Sequence, residues 1–354
     1  MRAIANIKFG FLLLKAKLNA KRVPFLVQFT VTNRCDSRCT YCYARYYDRY
    51  QEDLTDEQAF KIIDQLAMAG TWRVNLVGGE PLLRKDIGEI INYVKKRGME
   101  CAMTSNGHLV PQKIDELKKL DILCLSLDGD QKAHDANRGE GSFTKIIKAL
   151  EAASIYQIPL QIATVLTKEN LNSLDFIFAI AYKYSAPIGF TTLITPSSPE
   201  GKVTPFGMPS DEEYHKVLRK IIEAKQRGVP ILFSVKSLEY CLRWPLSYAQ
   251  DKIIGEKPGF QYIPCLAGRF YGIIDANGDI YPCPALVGEV PALNCLEAGL
   301  KKAWEETGKH KCQTCHFPCN NDLNLLFALN PAVIVNILKT YKRPFSRQEC
   351  AKDV

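Results

Sequence analysis

The chain has 354 residues, 47% hydrophobic and 24% charged, which is enough apolar material for one large or two unequal domains and excludes a disordered or fibrous protein. Its net charge of +8 is scattered through segments such as KIDELKKL with no long basic run, so nucleic acid binding is not indicated. No cleavage-site pattern follows FGFLLL and no run reaches the ~20 apolar residues of a membrane span, so the 13 cysteines are read in a reduced, cytoplasmic setting, where clusters bind metal before they form disulfides.

In chain order, residues 1–24 (IANIKFGFLLLKAKLNAKR and its flanks) are basic and apolar at mixed helical spacing, an amphipathic helix. FLVQFTV (25–31) is rich in β-branched and aromatic residues and reads as a strand. DEQAFKIIDQLAMAG (56–70) has the helical period and stops at Gly70. RVNLVGG, MECAMTSNG, DILCLSLDG, PLQIATVL and IGFTTLI supply five further strands. DIGEIINYVKKRG, PQKIDELKKL, FTKIIKALEAASIY, LDFIFAIAYKY and residues 211–227 supply the helices between and after them. The alternation predicts an α/β fold with a mainly parallel sheet, a partial (β/α)6 barrel rather than a closed eight-stranded one.

After residue 235 the rhythm changes. CLAGRFYGIIDANGDIYPC carries Asn277-Gly278 between two apolar runs, a tight-hairpin signal that brings Cys265 and Cys283 together. CQTCHFPC (312–319) adds Cys312, Cys315 and Cys319. The reading is therefore residues 1–24 as an amino-terminal helix, 25–235 as the barrel, and 236–354 as a small cysteine-rich module with a carboxy-terminal helix.

Functional residues of such sheets collect at the carboxyl ends of strands. Cys35, Cys39 and Cys42 follow the first strand, and Gly78, Gly79, Glu80 and Pro81 the second. TSNG (104–107) follows the third and SLDG (126–129) ends the fourth. Three thiolates spaced C-x3-C-x2-C suit zinc if a fourth ligand arrives, or an iron–sulfur cubane with one iron left open. No histidine lies nearby in sequence to complete a zinc set, so the missing fourth ligand favours the cubane.

With GGEP after the next strand, the pattern resembles the radical S-adenosylmethionine (SAM) superfamily over roughly residues 25–320. The resemblance implies that Cys35, Cys39 and Cys42 hold a [4Fe–4S] cluster whose free iron chelates SAM, with Tyr41 in the family's usual aromatic position. It implies that Gly78, Gly79, Glu80 and Pro81 meet the methionyl ammonium. Ser105, Asn106, Ser126 and Asp128 correspond to loops contacting the ribose and methionyl parts, and Arg138 to a contact with the SAM carboxylate. The reaction implied is reductive cleavage of SAM to a 5′-deoxyadenosyl radical that abstracts hydrogen from substrate, with an electron donor such as flavodoxin or ferredoxin.

Cys265, Cys283, Cys312, Cys315 and Cys319 resemble the family's twitch and SPASM extensions. Five cysteines fall short of a full SPASM module and fit one auxiliary [4Fe–4S] cluster, a structural zinc being the alternative. Cys101 and Cys124 lie inside predicted strands and are read as core; Cys241 is the least implausible thiol for returning a hydrogen atom to substrate. Substrate readings stay open. Many such enzymes modify ribosomal peptides, and FTTLITPSSPEGK (190–202), after the sixth strand, reads as a loop that touches substrate or as a plain connector. The apolar, basic ends of the chain fit either two helices packed on the barrel and the small module, or peripheral membrane contact and a lipid or isoprenoid substrate. A non-catalytic iron–sulfur or zinc protein is the reading from another class.

Overall fold

Strand alternation decides the architecture. The computed structural model describes residues 10, 12–19, 21–44, 52–195, 197–198, 201–202 and 207–342. Much of the expected amino-terminal segment, part of the 190–202 loop, and Cys350 lie outside them. β1 (Leu26–Thr30), β2 (Arg73–Val77), β3 (Glu100–Ser105), β4 (Ile122–Ser126), β5 (Leu160–Val165) and β6 (Ile188–Thr191) lie side by side and parallel. Val27, Phe29, Val74, Leu76, Leu123 and Leu125 point outward and are fully buried under the helices. Burying each such side chain contributes about 1.5–3 kcal/mol. Their neighbours Gln28, Asn75, Thr104 and Cys124 point inward and line a cavity of about 440 Å³. Cys101 is core as expected, but the phase set by Leu123 and Leu125 turns Cys124 into the cavity, which corrects its reading as a core residue.

The helices are α1 (12–18), α2 (Asp56–Met68), α3 (Ile87–Lys96), α4 (Ile114–Leu117), α5 (Gln131–Arg138), α6 (Ser142–Ile155), α7 (Leu174–Tyr184) and α8 (Asp211–Gln226). Thr55 and Gln58 form a capping box on α2, and Gly70 just past its end takes φ +84°, the left-handed turn expected there. PQKIDELKKL forms only the single turn α4, without a side-chain cap, before the chain turns back into β4. The polar α5 was not expected: only Ala133, His134 and Asn137 are buried on it, too faint a period to read.

Small elements follow. β7 (Ser197–Ser198) and β8 (Gly201–Lys202) make a two-stranded ribbon within the expected 190–202 loop. After α9 (Val235–Leu242) and β9 (Lys252–Ile254) come β10 (Tyr271–Ile274) and β11 (Asp279–Tyr281), the hairpin expected at Asn277-Gly278, with Gly278 at φ +93°. β12 (Leu293–Asn294), α10 (Cys295–Ala298), α11 (Leu300–Glu306), β13 (Cys312–Cys315), α12 (Pro318–Phe327) and α13 (Pro331–Lys342) complete the order. The hairpin does not stand apart from the barrel. β10 pairs parallel with β1, Leu26 opposite Tyr271, so one sheet runs β12-β11-β10-β1-β2-β3-β4-β5-β6. α12 closes the cavity with Leu323 and Leu326, and its Asp322 accepts from the Ser234 backbone N–H (3.0 Å) at the start of α9.

Candidate active site

The loop after β1 has a short backbone path that must hold three thiols, so its neighbours brace it. Asp53 accepts from the Thr32 hydroxyl (2.5 Å) and the Asn33 backbone (2.6 Å). The Gly79 N–H donates to Thr32 O (3.0 Å), and the Glu80 N–H to Arg34 O (2.8 Å). A Cβ on Gly78 would stand 2.5 Å from Thr32 O, and one on Gly79 2.2 Å from Arg34 O. Glycine is needed here because the loop after β2 lies directly against the cysteine loop.

Glu80 ties in a third loop. Its carboxylate is fully buried and accepts from Leu82 N (3.0 Å), Ser105 Oγ (2.8 Å) and Asn106 N (2.8 Å). Burial raises its pKa to about 7 against those three donors. Pro81 opens the buried turn that follows. The Asn106 side-chain amide donates to Asp36 (2.7 Å) and Ser37 Oγ (3.0 Å) within the cysteine loop. Asp36 also meets His108 Nδ1 at 3.1 Å. Burial works to raise Asp36, but the hydrogen bonds from His108 and Asn106 outweigh it and hold the carboxyl below its usual range. Asp36 and His108 were not singled out in the sequence; only their places in the first and third rim loops signalled them.

The fourth loop brings a charged wall. Tyr41 donates to Asp128 (2.5 Å), and Arg138 Nε donates to the same oxygen (2.6 Å). A second Arg138 nitrogen reaches the Tyr41 hydroxyl, and the third stands 3.8 Å from Cys39 Sγ. Asp128 is fully buried and Ser126 nearly so at the end of β4. Burial works against the Arg138 charge, but Asp128, Tyr41 and Cys39 outweigh it and hold its pKa well above the ordinary value. The Asn137 carbonyl accepts from Thr40 N (3.0 Å), so α5 anchors the cysteine loop as well as supplying Arg138.

The thiols themselves are partly exposed at this rim. Burial pushes Cys35 up to about 12 and raises Cys39. A metal centre must therefore displace their protons, and loading becomes harder as pH falls. Among the described residues no three His, Cys, Asp or Glu side chains stand as a ligand set for a single metal ion. Three thiols on one loop, whose nearby Asp36 is engaged by His108 and Asn106, are a donor set that fits a cluster with an open iron.

A second group of cysteines gathers where the end of the β10–β11 hairpin meets β13 and α12. Cys283, Cys315, Cys312 and Cys319 pack together with Ala285, Leu286 and Phe317. Cys265 shares a hydrogen bond with Cys312 that lowers the Cys265 thiol and raises that of Cys312. β13 pairs with β9, which fixes Cys312 and Cys315 in place. Cys319 differs from the others: it lines the barrel cavity and bonds to Thr191. Cys241 is fully buried, donating to His316 O (2.6 Å), and is absent from the cavity lining, which corrects its candidacy as a hydrogen donor to substrate.

Two buried histidines make the fold acid-sensitive. His134 Nδ1 accepts from Asp128 N (3.1 Å), and His316 sits between Thr192 Oγ1 (2.9 Å) and Tyr248 O (3.0 Å). Burial lowers both to about 4 from an ordinary 6.5. With the folded pKa below the unfolded one, the unfolded chain takes up protons first, so stability is full above about 6.5 and falls toward about 4. The apoprotein should lose roughly 1–2 kcal/mol per histidine between about pH 7 and pH 5, read from the denaturant midpoint. An unchanged midpoint would contradict neutral burial of both rings.

Residues 29–179 match the Radical SAM superfamily. The mycofactocin maturase MftC of Mycolicibacterium smegmatis is 28% identical over 293 residues, covering 80% of this chain and 71% of its own. An AdoMet-dependent heme synthase of Methanosarcina barkeri is 25% identical over 317 residues, 83% of this chain and 89% of its own. Streptococcus suis SuiB, in a crystal structure bound to precursor peptide SuiA, shares the fold with a TM-score of 0.63 at 18% identity, covering 82% of this chain and 67% of that one. With the cysteine loop, the GGEP loop and the barrel rim in place, the match over residues 29–179 makes this part of the chain a radical SAM enzyme domain, followed by a cysteine-rich carboxy-terminal module.

Proposed function

We propose that the protein modifies a peptide side chain by hydrogen abstraction, using SAM bound at the rim above the barrel cavity. The observation that carries the reading is the clasp of the Cys35–Cys39–Cys42 loop by Gly79, Glu80, Asn106 and Arg138, on loops that follow the strands lining that cavity. Cys35, Cys39 and Cys42 would hold the [4Fe–4S] cluster; the loops of Gly78–Gly79, Ser105–Asn106 and Ser126–Asp128 would frame SAM. Cluster and SAM together, when bound, supply a carbon radical that takes a hydrogen atom from an unactivated carbon. The chain's own part is to orient and to exclude water. Arg138, held by Asp128 and Tyr41, places a fixed cation beside Cys39 that favours its thiolate. Glu80 spends both oxygens on the chain's own donors and acts as a brace between loops.

Gln28, Asn75, Thr104 and Thr191 beside Leu232 and Phe233 give the cavity a mixed lining, and its charged members Arg73 and Asp322 are engaged by Glu100 and Ser234, which suits an uncharged side chain. SuiB, with the same fold, has been crystallised with a precursor peptide. In the carboxy-terminal group, Cys265, Cys283, Cys312 and Cys315 are the proposed ligands of an auxiliary [4Fe–4S] cluster. Cys319 faces the cavity instead. A small electron-transfer protein such as flavodoxin or ferredoxin would reduce the rim cluster.

The test is the origin of the abstracted hydrogen. Reduced, reconstituted protein is given SAM with a deuterated peptide digest, or with a deuterated lipid extract. Deuterium in the recovered 5′-deoxyadenosine from the peptide arm alone supports this reading. Deuterium from the lipid arm alone replaces it with a lipid substrate.

A further inference from the structure

The face of the barrel opposite the cysteine rim carries a pattern that the chemistry does not use. In a parallel sheet with helical crossovers, the amino ends of strands and the carboxyl ends of helices share one face. Among the described residues, the exposed large apolar side chains, Ile254 apart, gather there. Leu14 and Leu18 stand one turn apart on α1, 48% and 78% exposed; Val335 and Leu338 form a matching pair on α13, at 46% and 45%. Met68, ending α2, and Ile155, ending α6, join them.

Packing sets both terminal helices on this one face. Leu13 and Ala16 of α1 pack with Phe25, Phe270 and Phe327, and Lys17 Nζ donates to Phe327 O (3.0 Å). Asn336 of α13 donates to Leu232 O (2.9 Å), and Ile337 lines the cavity beside Leu26 and Trp72. Around the leucines stand the exposed cations Lys21, Lys96, Lys119, Lys183, Arg227 and Lys339. Three carboxylates of the same face are engaged, Asp64 with Arg97, Glu100 with Arg73 and Asp121 with Lys95, while exposed Glu305 shares a hollow with Lys21, Arg22 and Met68. Cations at helix carboxyl ends complement the helix dipole, which explains the charges but not the exposed leucines among them.

We propose that this face docks on an anionic membrane surface, with α1 and α13 laying their leucines into the acyl boundary and the cations meeting lipid headgroups. A second copy of the chain would need only the apolar stripe. Cations spread over the ends of α1, α3, α4, α7, α8 and α13 span the whole barrel base, which favours a flat, negatively charged partner. The cysteine rim then faces water, open to an electron donor. The docking holds whether the substrate is peptide or lipid.

The test is co-sedimentation of the full chain with phosphatidylcholine vesicles, with and without phosphatidylglycerol. Binding should be at least about tenfold stronger with phosphatidylglycerol and should weaken as salt rises. The set Leu14→Glu/Leu18→Glu/Val335→Glu/Leu338→Glu, and separately Lys96→Glu/Lys119→Glu/Lys339→Glu, should each lose about tenfold in vesicle binding with SAM cleavage unchanged. No binding, or equal binding to both vesicles, would overturn the proposal. So would light scattering showing a dimer that the leucine variant splits, without vesicle binding by the wild type.

Discussion

Gly79→Ala should leave the protein unable to load its rim cluster and lower SAM cleavage by about a hundredfold or more. The new Cβ would lie 2.2 Å from Arg34 O, 2.6 Å from Arg34 C and 2.8 Å from Cys35 Cβ, and two of these three atoms are backbone. Nothing flexible stands there to move aside, so the cysteine loop itself must shift. Overpacking of this kind costs about 1–3 kcal/mol of stability, but displacement of Cys35 is the larger consequence. Gly259→Ala, which meets nothing within 4 Å, is the control and should load normally. Iron content and 5′-deoxyadenosine formation read both. Full loading of Gly79→Ala would show that the glycine pair is not what lets the two loops meet.

Asp128→Ala should be the most destabilising single change at the rim, by about 3–5 kcal/mol. It leaves the buried Arg138 guanidinium without its carboxylate and takes the acceptor from Tyr41. Arg138→Lys tests the same wall differently. Lysine keeps the charge but not the fork that reaches Asp128, Tyr41 and Cys39 at once. Its stability should stay closer to wild type while SAM cleavage falls about tenfold or more. Equal cleavage by Arg138→Lys and wild type would remove the positioning role of the guanidinium.

The rim was legible in the sequence because its residues follow strands whose two-residue period is clear. Val27 and Phe29 mark β1, Val74 and Leu76 mark β2, and the cysteines and GGEP come directly after. The Asn277-Gly278 hairpin was equally plain, since a left-handed turn needs a residue such as Gly278. Its pairing with β1 was not, because Leu26 and Tyr271 meet across most of the chain and nothing local records it. Tyr41, Asp128 and Arg138 were named from their motifs, but the helix α5 that carries Arg138 to the other two was hidden, because its buried residues are too few and too polar to show a helical stripe. Cys124 needed the phase of β4, which its apolar neighbours decide only once the helices are seen to lie outside the sheet. The apolar ends of the chain fit either packing or a membrane surface in sequence; which of their leucines are exposed follows from the packing of Leu13 against Phe327.

The most direct measurement is anaerobic iron, sulfide and zinc analysis of wild type beside a Cys35→Ala/Cys39→Ala/Cys42→Ala variant, with reductive SAM cleavage assayed in parallel. About eight irons falling to about four, with cleavage lost and the carboxy-terminal cysteines still loaded, is the result expected. A variant that still cleaves SAM, or a wild type that takes up zinc and no iron, would contradict the rim as the catalytic centre.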